Sequence, residues 1–433
     1  MATAVQVSAL LHPLAYPELM QKVGVVGLGY VGLPLVVAFA QAGSEVVGFD
    51  INEGLISSLR SGTSHIEDVP VGQLADVAET VTYTSDAAQL STCDAVIVCV
   101  PTPLTDNREP DLTALENAAD QLSKILKPGQ LVVLESTTYP GTTRELLVPM
   151  LEESGLVAGV DFAVAFSPER VDPGRTDFTL RNTPKVVGGY TEACLKRATD
   201  LYSPVCDELV EVSSTEAAEL TKLLENIFRS VNIALVNEMA VLTDRMGIDI
   251  WEVVGAASTK PYGFMRFEPG PGMGGHCLPV DPFYLSWRAR QFDLSAEFIE
   301  LAGKTNQQMP YYCVDRITRA LNGAQLPLSG SKVLLVGVSY KSGVGDMREA
   351  PALKIIELLQ RSGAIVSYHD PHVDRIKGRD LESKDLSAGL AECDIAVIVT
   401  NHPSVDHGLV AAQAPRVLDL RGSLPASETV ERL

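Results

Sequence analysis

At 433 residues the chain is longer than one ordinary domain of ~100–200 residues, so two or three domains are expected. Apolar residues make up 46% of the chain and charged residues 21%, which is typical of a folded α/β protein and not of a disordered one. The 34 basic and 55 acidic residues give a net charge of -21, and no basic run could neutralise a nucleic-acid backbone. These features exclude nucleic acid as the expected partner and leave small anionic ligands open.

The cysteines and the apolar segments indicate the compartment. The seven cysteines include no CxxC pair and no metal-ligand spacing, and their odd number favours a reducing environment without a bound metal. No apolar run reaches the ~18 residues that a membrane helix needs. Residues 1–21 lack the basic start and the cleavage site of a signal peptide. We therefore expect a cytoplasmic protein with an N-terminal extension over 1–21 and no membrane partner.

The first part of the chain alternates strands with helices, as in a doubly wound parallel sheet. Short apolar runs predict the strands, and apolar residues at helical spacing predict the helices. The predicted strands are 22–27, 45–50, 93–100 and 130–136, and the predicted helices are 33–42 and 112–126. Together they predict a Rossmann domain over 22–210.

The middle of the chain is predicted to be helical. Residues 215–246 carry apolar side chains at helical spacing without proline or glycine, which predicts one long helix. A second helix is predicted over 295–309. We assign a central helical domain to 211–320. A helix with apolar stripes on more than one side often packs against a second subunit, so a homodimer through the long helix is expected.

The last part of the chain repeats the pattern of the first. Its predicted elements are a strand at 332–341, a helix at 350–362 and a strand at 364–370, and the segment 393–403 closely echoes 93–103. A GxGxxG motif is missing, so this domain, 321–433, is predicted to be Rossmann-like without binding a dinucleotide. The predicted fold class is α/β, with two Rossmann-like doubly wound parallel-sheet domains joined by a long central helix and a helical middle domain.

A glycine-rich turn predicts the cofactor site. Residues 27–32 read GLGYVG between the first strand and the first helix, and Asp50 ends the second strand. Such a turn brings backbone N–H groups to a pyrophosphate, and the carboxylate binds ribose hydroxyls and repels the extra phosphate of NADP. The prediction is NAD, bound by Gly27, Gly29, Tyr30, Val31, Gly32 and Asp50. Pro101, Thr102 and Thr137, which follow later strands, are predicted to line the same cleft.

The segment 270–282 reads GPGMGGHCLPVDP and predicts a reactive cysteine. Four glycines close before Cys277 leave little side-chain bulk, so a substrate can approach the thiol. The alternative, a small core cysteine, is the interpretation we give to the other six. His276 is not expected to pair with Cys277, because adjacent side chains in an extended loop point apart.

Lys222 and Asn226 lie one turn apart on the long helix. One interpretation is a solvated helix face. The other is a cation and an amide donor that stabilise a developing oxyanion. The spacing alone does not decide between the two.

Several motifs together resemble the UDP-glucose/GDP-mannose dehydrogenase family. They are the dinucleotide turn at 27–32, Ser-Pro-Glu at 167–169, the Lys222 and Asn226 helix, GGHCLPVDP at 274–282 and SYKSGVGDMRE at 339–349. The resemblance covers nearly the whole chain from residue 22. The segment from Lys260 to Cys277 is most similar to the branch that acts on UDP-N-acetylhexosamines, especially UDP-N-acetylglucosamine.

The resemblance implies a role for each of these residues. Cys277 is the expected nucleophile, Asp281 and Thr137 hold a water, Lys222 and Asn226 stabilise oxyanions, and Glu169 serves in thioester hydrolysis. Gly274, Lys341 and Arg348 complete the expected substrate-binding set together with Lys222 and Asn226. The first general base remains either Lys222 or a water on Asp281.

The expected reaction oxidises an alcohol to an acid in two hydride transfers to NAD through a covalent intermediate on Cys277. UDP-N-acetylglucosamine is the expected substrate, with UDP-glucose and UDP-N-acetylmannosamine as alternatives. Two rival functions are a two-electron hydroxy-acid dehydrogenase, which needs no cysteine, and a redox-sensing dinucleotide module without turnover. The number of NADH molecules formed per substrate, two, one or none, separates the three.

Overall fold

The structure is a computed structural model that describes residues 21–66, 69–105, 107–172, 177–275, 278 and 280–433. These residues divide into two compact units. Unit 1 contains the described residues up to Lys222 apart from 107–109, and unit 2 contains 107–109 and Leu223–Leu433. No helix in the described part of the chain is long and apolar enough to cross a membrane.

Unit 1 is built on an eight-stranded sheet in the order β3-β2-β1-β4-β5-β6-β7-β8. Neighbouring strands are parallel except β6 and β7, which are antiparallel. The strands are β1 (Lys22–Val26), β2 (Glu45–Phe49), β3 (Val81–Thr84), β4 (Ala95–Val98), β5 (Leu131–Leu134), β6 (Ala163–Phe166), β7 (Lys185–Gly189) and β8 (Leu209–Val212).

Helices cover both faces of this sheet. They are α1 (Gly32–Gln41), α2 (Glu53–Arg60), α3 (Val71–Asp76), α4 (Thr113–Ser123), α5 (Val148–Glu152) and α6 (Glu192–Tyr202). In β4, Ala95 and Ile97 join one buried apolar cluster while Val96 and Val98 join another. Because both faces of the strand are covered, β4 is apolar at every position, as expected for a parallel sheet.

Unit 2 contains a five-stranded parallel sheet in the order β10-β9-β11-β12-β13. Its strands are β9 (Lys332–Val336), β10 (Ile365–His369), β11 (Ile395–Ile398), β12 (Val417–Asp419) and β13 (Val430–Arg432). Alternate residues of β9 again join two different apolar clusters. The doubly wound arrangement therefore occurs twice, which confirms the predicted fold class.

The remaining helices are long or flank the second sheet. They are α7 (Thr215–Met246), which begins in unit 1 and continues in unit 2, α8 (Ile250–Ala257), α9 (Asp281–Arg290), α10 (Glu297–Gly323), α11 (Pro351–Arg361), α12 (Leu386–Glu392) and α13 (His407–Gln413). The long helix α7 has the predicted bounds.

The prediction that a helix ends at Met309 is wrong. Helix α10 continues through Pro310 to Gly323. A proline removes only one hydrogen bond of the helix, and the turns beyond it carry Cys313, Ile317 and Leu321, all fully buried in an apolar cluster of unit 2. We attribute the continuation to that burial, which favours helix more than proline disfavours it.

Candidate functional site

The three glycines of the first turn have different surroundings. Gly27 has φ +89°, and a Cβ there would lie 2.8 Å from the carbonyl oxygen of Cys99. A Cβ on Gly32, at the start of α1, would lie 1.8 Å from the carbonyl oxygen of Gly27. A Cβ on Gly29 would meet nothing within 4 Å. The outer glycines therefore allow close packing of the turn, whereas Gly29 leaves open space beside the backbone.

Asp50 shapes this turn through its carboxylate. Its Oδ2 accepts a hydrogen bond from the backbone N–H of Leu28 at 3.0 Å, and its Oδ1 accepts one from Asn52 at 2.9 Å. The side chain is half-buried, and each carboxylate oxygen keeps a further lone pair for a ligand hydroxyl. The acid thus lies at the end of β2, where a ribose is bound in dinucleotide folds.

The other predicted cofactor residues lie along the same edge of the sheet. Tyr30 is 44% exposed, and Val31 immediately precedes α1. Pro101 is exposed, while the buried Thr102 donates a hydrogen bond from Oγ1 to the carbonyl oxygen of Thr137 at 2.6 Å. This bond joins the ends of two neighbouring strands. The open space at Gly29, a helix N-terminus without acidic residues and the carboxylate of Asp50 fit NAD.

The corresponding turn of the second sheet makes the same hydrogen bond to an aspartate, but that aspartate is inaccessible to a ligand. Asp370 accepts from the N–H of Val338 at 2.7 Å, as Asp50 does from Leu28. However, the Asp370 carboxylate is fully buried, and it also faces Nε2 of His402 at 3.1 Å. A carboxylate enclosed in this way cannot reach a ribose. This geometry supports the prediction that the second half does not bind a dinucleotide.

The glycine-rich segment before Cys277 packs against the loop that follows β9. The N–H of Gly275 donates to the carbonyl oxygen of Arg348 at 2.9 Å. A Cβ on Gly274 would lie 2.7 Å from Cβ of Tyr340 and 2.9 Å from the carbonyl oxygen of Glu349. Glycine is therefore required for this close approach. Cys277 itself, with His276, lies outside the described residues, which resume fully at residue 280.

Asp281 begins α9 just beyond the cysteine segment and meets Asn226. Both side chains are buried, and Nδ2 of Asn226 donates to Oδ2 of Asp281 at 2.5 Å. Lys222, one turn earlier on α7, is half-buried, and its ammonium has no hydrogen bond or ion pair within the described residues. The burial of Asn226 excludes the interpretation of this helix face as merely solvated.

Glu169 follows β6 at the carboxyl edge of the first sheet. Its Oε1 accepts from the backbone N–H groups of Arg170 at 2.7 Å and Val171 at 2.6 Å, while its Oε2 lies 3.8 Å from Nζ of Lys185. The carboxylate is 17% exposed. The Glu169 carboxylate is therefore fixed by hydrogen bonds and remains accessible to solvent.

Two predicted substrate-binding cations lie in the loop after β9. Arg348 pairs with Asp346 at 2.6 Å, and its side chain is 44% exposed. Lys341 is half-buried, and its backbone oxygen accepts from the hydroxyl of Ser339 at 2.8 Å. The loop thus places both cations in unit 2, where Gly275 also contacts it.

The sequence analysis missed Arg421, which follows β12 at the carboxyl edge of the second sheet. A Cβ on Gly270 would lie 2.5 Å from its Nη1. Burial lowers the pKa of Arg421, opposed by Glu268 and Asp419. The guanidinium has no hydrogen bond or ion pair to any other described residue. A half-buried guanidinium without these partners suits a phosphate. A prediction of the strand 417–419 would have placed Arg421 at the carboxyl edge of the second sheet, where ligands bind.

The turn at 27–32, with Asp50 and the doubly wound sheet, defines a dinucleotide-binding dehydrogenase. Three family models then match the chain in order. They are the NAD binding domain (21–206), the central domain (216–308) and the UDP binding domain (334–426) of the UDP-glucose/GDP-mannose dehydrogenase family. The chain belongs to this family, which confirms the resemblance, and it is an NAD-dependent nucleotide-sugar dehydrogenase.

Individual relatives have related activities. A UDP-N-acetyl-D-glucosamine 6-dehydrogenase of Pseudomonas aeruginosa is 40% identical over 354 residues, 81% of this chain and 83% of the relative. Among solved structures, a UDP-D-ManNAc dehydrogenase of Pyrococcus horikoshii has a TM-score of 0.87 and 35% identity, covering 95% of this chain and 98% of that one. An NDP-N-acetyl-D-galactosaminuronic acid dehydrogenase of Methanosarcina mazei Go1 has a TM-score of 0.83 and 33% identity, covering 96% and 95%.

Proposed function

We propose that this protein oxidises the C6 alcohol of a UDP-sugar to a carboxylic acid, by two successive two-electron steps with the sugar held on Cys277. The observation that carries the proposal is the arrangement on α7. Lys222 is half-buried and has no ion pair to another described residue. One turn further, Asn226 binds the buried Asp281, which begins α9 four residues after Cys277 in the sequence. Helix α7 and the start of α9 thus supply a cation, an amide and an acid for the reaction proposed at Cys277.

In the first step the protein's residues handle the proton and the oxygen. NAD, when bound, accepts a hydride from C6 in each of the two steps. Lys222, or a water held by Asp281 and Thr137, takes the proton of the C6 hydroxyl. Asn226 and Lys222 stabilise negative charge on the oxygen. The Cys277 thiolate then adds to the C6 aldehyde carbon and retains it as a thiohemiacetal.

In the second step loss of the C6 hydride and the hydroxyl proton converts the thiohemiacetal to a thioester. Glu169 then takes a proton from a water that attacks the thioester carbon. The carbon–sulfur bond breaks, and the acid leaves with the thiolate restored. Partial exposure of the Glu169 carboxylate supports this role, because water can reach it.

For the substrate we propose UDP-N-acetylglucosamine. The relative at 40% identity carries that activity in its name, and the segment from Lys260 to Cys277 is similar to the same branch. UDP-N-acetylmannosamine is the second candidate. It is favoured by the TM-score of 0.87 to the UDP-D-ManNAc dehydrogenase of Pyrococcus horikoshii. Arg421 and Lys341 are proposed to bind the diphosphate, since Arg421 is unpaired and lies beside Gly270.

A panel of UDP-sugars tests the substrate. Purified enzyme with NAD is assayed at equal subsaturating concentrations of UDP-N-acetylglucosamine, UDP-N-acetylmannosamine and UDP-glucose. We expect the highest rate with UDP-N-acetylglucosamine. A higher rate with UDP-N-acetylmannosamine selects the second candidate, and a higher rate with UDP-glucose contradicts the assignment to an N-acetylhexosamine.

Two variants test the covalent mechanism. Glu169→Gln should form NADH in a burst approaching two per active site and accumulate a sugar-nucleotide adduct, seen by mass spectrometry of the quenched protein. Cys277→Ser should show no adduct and no completed oxidation, because a serine hydroxyl is a poor nucleophile without a dedicated base. Full steady-state activity of Glu169→Gln without burst or adduct would remove the hydrolytic role from Glu169.

We also propose that the domains follow the predicted limits 22–210, 211–320 and 321–433, and that the protein is a cytoplasmic homodimer. The compartment rests on the seven cysteines without pair spacing. The dimer rests on the exposed apolar side of α7, which consists of Leu220, Leu224, Phe228, Leu235, Met239, Leu242 and Met246. A second copy of α7 is the proposed occupant.

A further inference from the structure

One lysine that the proposed mechanism does not use is enclosed at the carboxyl edge of the first sheet. Lys185 is 3% exposed, and its Nζ lies 3.1 Å from Oε2 of Glu135 and 3.8 Å from Oε2 of Glu169. Its ammonium also lies 4.9 Å from the ring centroid of Tyr202, whose hydroxyl donates to Oε1 of Glu135. Glu135 and Tyr202 are buried as well.

The topology of the sheet explains why a lysine at the start of a strand lies here. In a parallel sheet the first residue of a strand lies at the amino edge, away from the ligand. Strand β7 is antiparallel to β6, with Gly188 opposite Phe166. The first residue of β7 therefore extends past the end of β6, to the side from which Glu169 projects. The antiparallel pairing of β6 and β7 thus brings Lys185 to the edge where Glu169 lies.

Two carboxylates lie within ion-pair distance of Lys185. Burial opposes the charge on Lys185, but Glu135 and Glu169 outweigh it and hold the pKa of Lys185 above its usual value. Burial raises the pKa of Glu135, and Glu169 adds to that effect while Lys185 opposes it. Lys185 therefore stays charged, and its ammonium lies within ion-pair distance of the Glu169 carboxylate.

We propose that Lys185 is a positioning residue for the hydrolytic step, holding the Glu169 carboxylate in a fixed orientation. The inference rests on the proposed role of Glu169 in thioester hydrolysis. Backbone N–H groups fix Oε1 of Glu169, and Lys185 attracts Oε2. A base that takes a proton from water must face that water, and the two contacts fix the direction of the Glu169 carboxylate.

Removal of Lys185 alone leaves Glu135 buried without its cation, which is strongly destabilising and can prevent folding. The test therefore uses the double variant Glu135→Gln/Lys185→Met, in which both buried charges are replaced by neutral side chains of similar size. Its reference is Glu135→Gln, which retains Lys185. Arg197→Met serves as the control, because Arg197 is also buried but binds the carbonyl oxygen of Gly129, at the opposite edge of the sheet.

The measurement separates acyl-enzyme formation from its decay. Each variant is mixed rapidly with NAD and UDP-sugar, the NADH burst is recorded, and the decay of the adduct is followed by mass spectrometry. We expect the double variant to give a burst near two NADH per active site, with adduct decay slowed at least tenfold relative to Glu135→Gln. In Arg197→Met the adduct should decay at the wild-type rate. Loss of folded protein would lower the burst amplitude and leave the decay rate unchanged.

The outcomes distinguish the two proposals. In one outcome Glu169→Gln accumulates the adduct, but the adduct of the double variant decays as fast as that of Glu135→Gln. The positioning role of Lys185 is then wrong, and the hydrolytic role of Glu169 stands. If Glu169→Gln accumulates no adduct, the role of Glu169 fails first. If Arg197→Met slows decay as much as the double variant does, the effect is a general loss of buried charge, and the proposal is overturned.

Discussion

Asp50 and Asp370 end equivalent strands and make the same hydrogen bond to the turn before them, yet only Asp50 is open to a ligand. The difference lies in one neighbour, since His402 covers the Asp370 carboxylate. The sequence supplied the equivalence, because both acids follow β-strand patterns. The closure by His402 was not predictable, because 32 residues separate the two partners along the chain.

The carboxylate of Asp50 should make the enzyme prefer NAD over NADP. The preference should be at least about tenfold in kcat/KM, which is about 1.4 kcal/mol, because a 2′-phosphate would meet a negative charge. Asp50→Asn should reduce this preference by about the same factor. Equal specificity of the wild-type enzyme for the two cofactors would contradict the role of Asp50.

Lys222 should contribute to catalysis and little to folding. Lys222→Met should lower kcat by roughly a hundredfold, as expected when a preorganised charge at a developing oxyanion is removed. Arg229→Met is the matched control, because it removes an exposed cation from the same helix. Steady-state kinetics and thermal unfolding of both variants make the comparison. Near-normal turnover of folded Lys222→Met would leave Lys222 without a catalytic role.

At the scale of elements, regular patterns were predictable and long-range contacts were not. The bounds of α7 followed from the spacing of its apolar residues. The strands next to the glycine-rich turn followed from short apolar runs and from the glycines. The reversed direction of β7 did not, because a five-residue apolar run carries no information about its direction. Nor did the cluster around Lys185, whose acidic partners come from loops after two other strands. The strand before Arg421 could have pointed to this residue, but its position beside Gly270 could not be predicted from the sequence.

Glu219 connects α7 to the loop that follows β5. Its buried carboxylate accepts from the N–H of Gly141 at 2.6 Å and from the N–H and hydroxyl of Thr143 at 2.8 and 2.7 Å. Burial nevertheless raises the pKa of Glu219 to about 7, above its ordinary 4.5. Between these values the folded state binds more protons than the unfolded state. The contribution of Glu219 to the free energy of unfolding therefore falls as the pH rises through this window.

Glu219→Gln should remove this component of the pH dependence. The difference in unfolding free energy between wild type and variant should change by up to about 1.4 kcal/mol per pH unit between pH 4.5 and 7. Glu216→Gln is the control, because Arg144 and local hydrogen bonds overcome the effect of burial and lower the pKa of Glu216. Denaturant unfolding across that pH range measures the unfolding free energies of the wild type and of both variants. Parallel stability curves for wild type and Glu219→Gln would exclude the effect.

At the scale of the whole molecule, the exposed apolar stripe on α7 predicts self-association. Leu224 and Leu235 are 62% and 57% exposed, and contiguous apolar surface of this kind usually marks an interface. Leu224→Asp/Leu235→Asp should convert a dimer to a monomer in sedimentation experiments. Ile51→Asp is the control, because Ile51 is 78% exposed but lies away from α7 in the sequence. A monomeric wild-type protein, or a double variant that still dimerises fully, would contradict the interface.

The central claim is a four-electron oxidation at one site, and the ratio of NADH to sugar consumed tests it most directly. A limiting, weighed amount of the preferred UDP-sugar is exhausted in excess NAD, NADH is counted by absorbance, and the product is identified by mass spectrometry. Because an alcohol loses four electrons on becoming an acid and each NAD accepts two, we predict two NADH per UDP-sugar and a uronic acid as product. One NADH per sugar, with an aldehyde as the final product, would contradict the account.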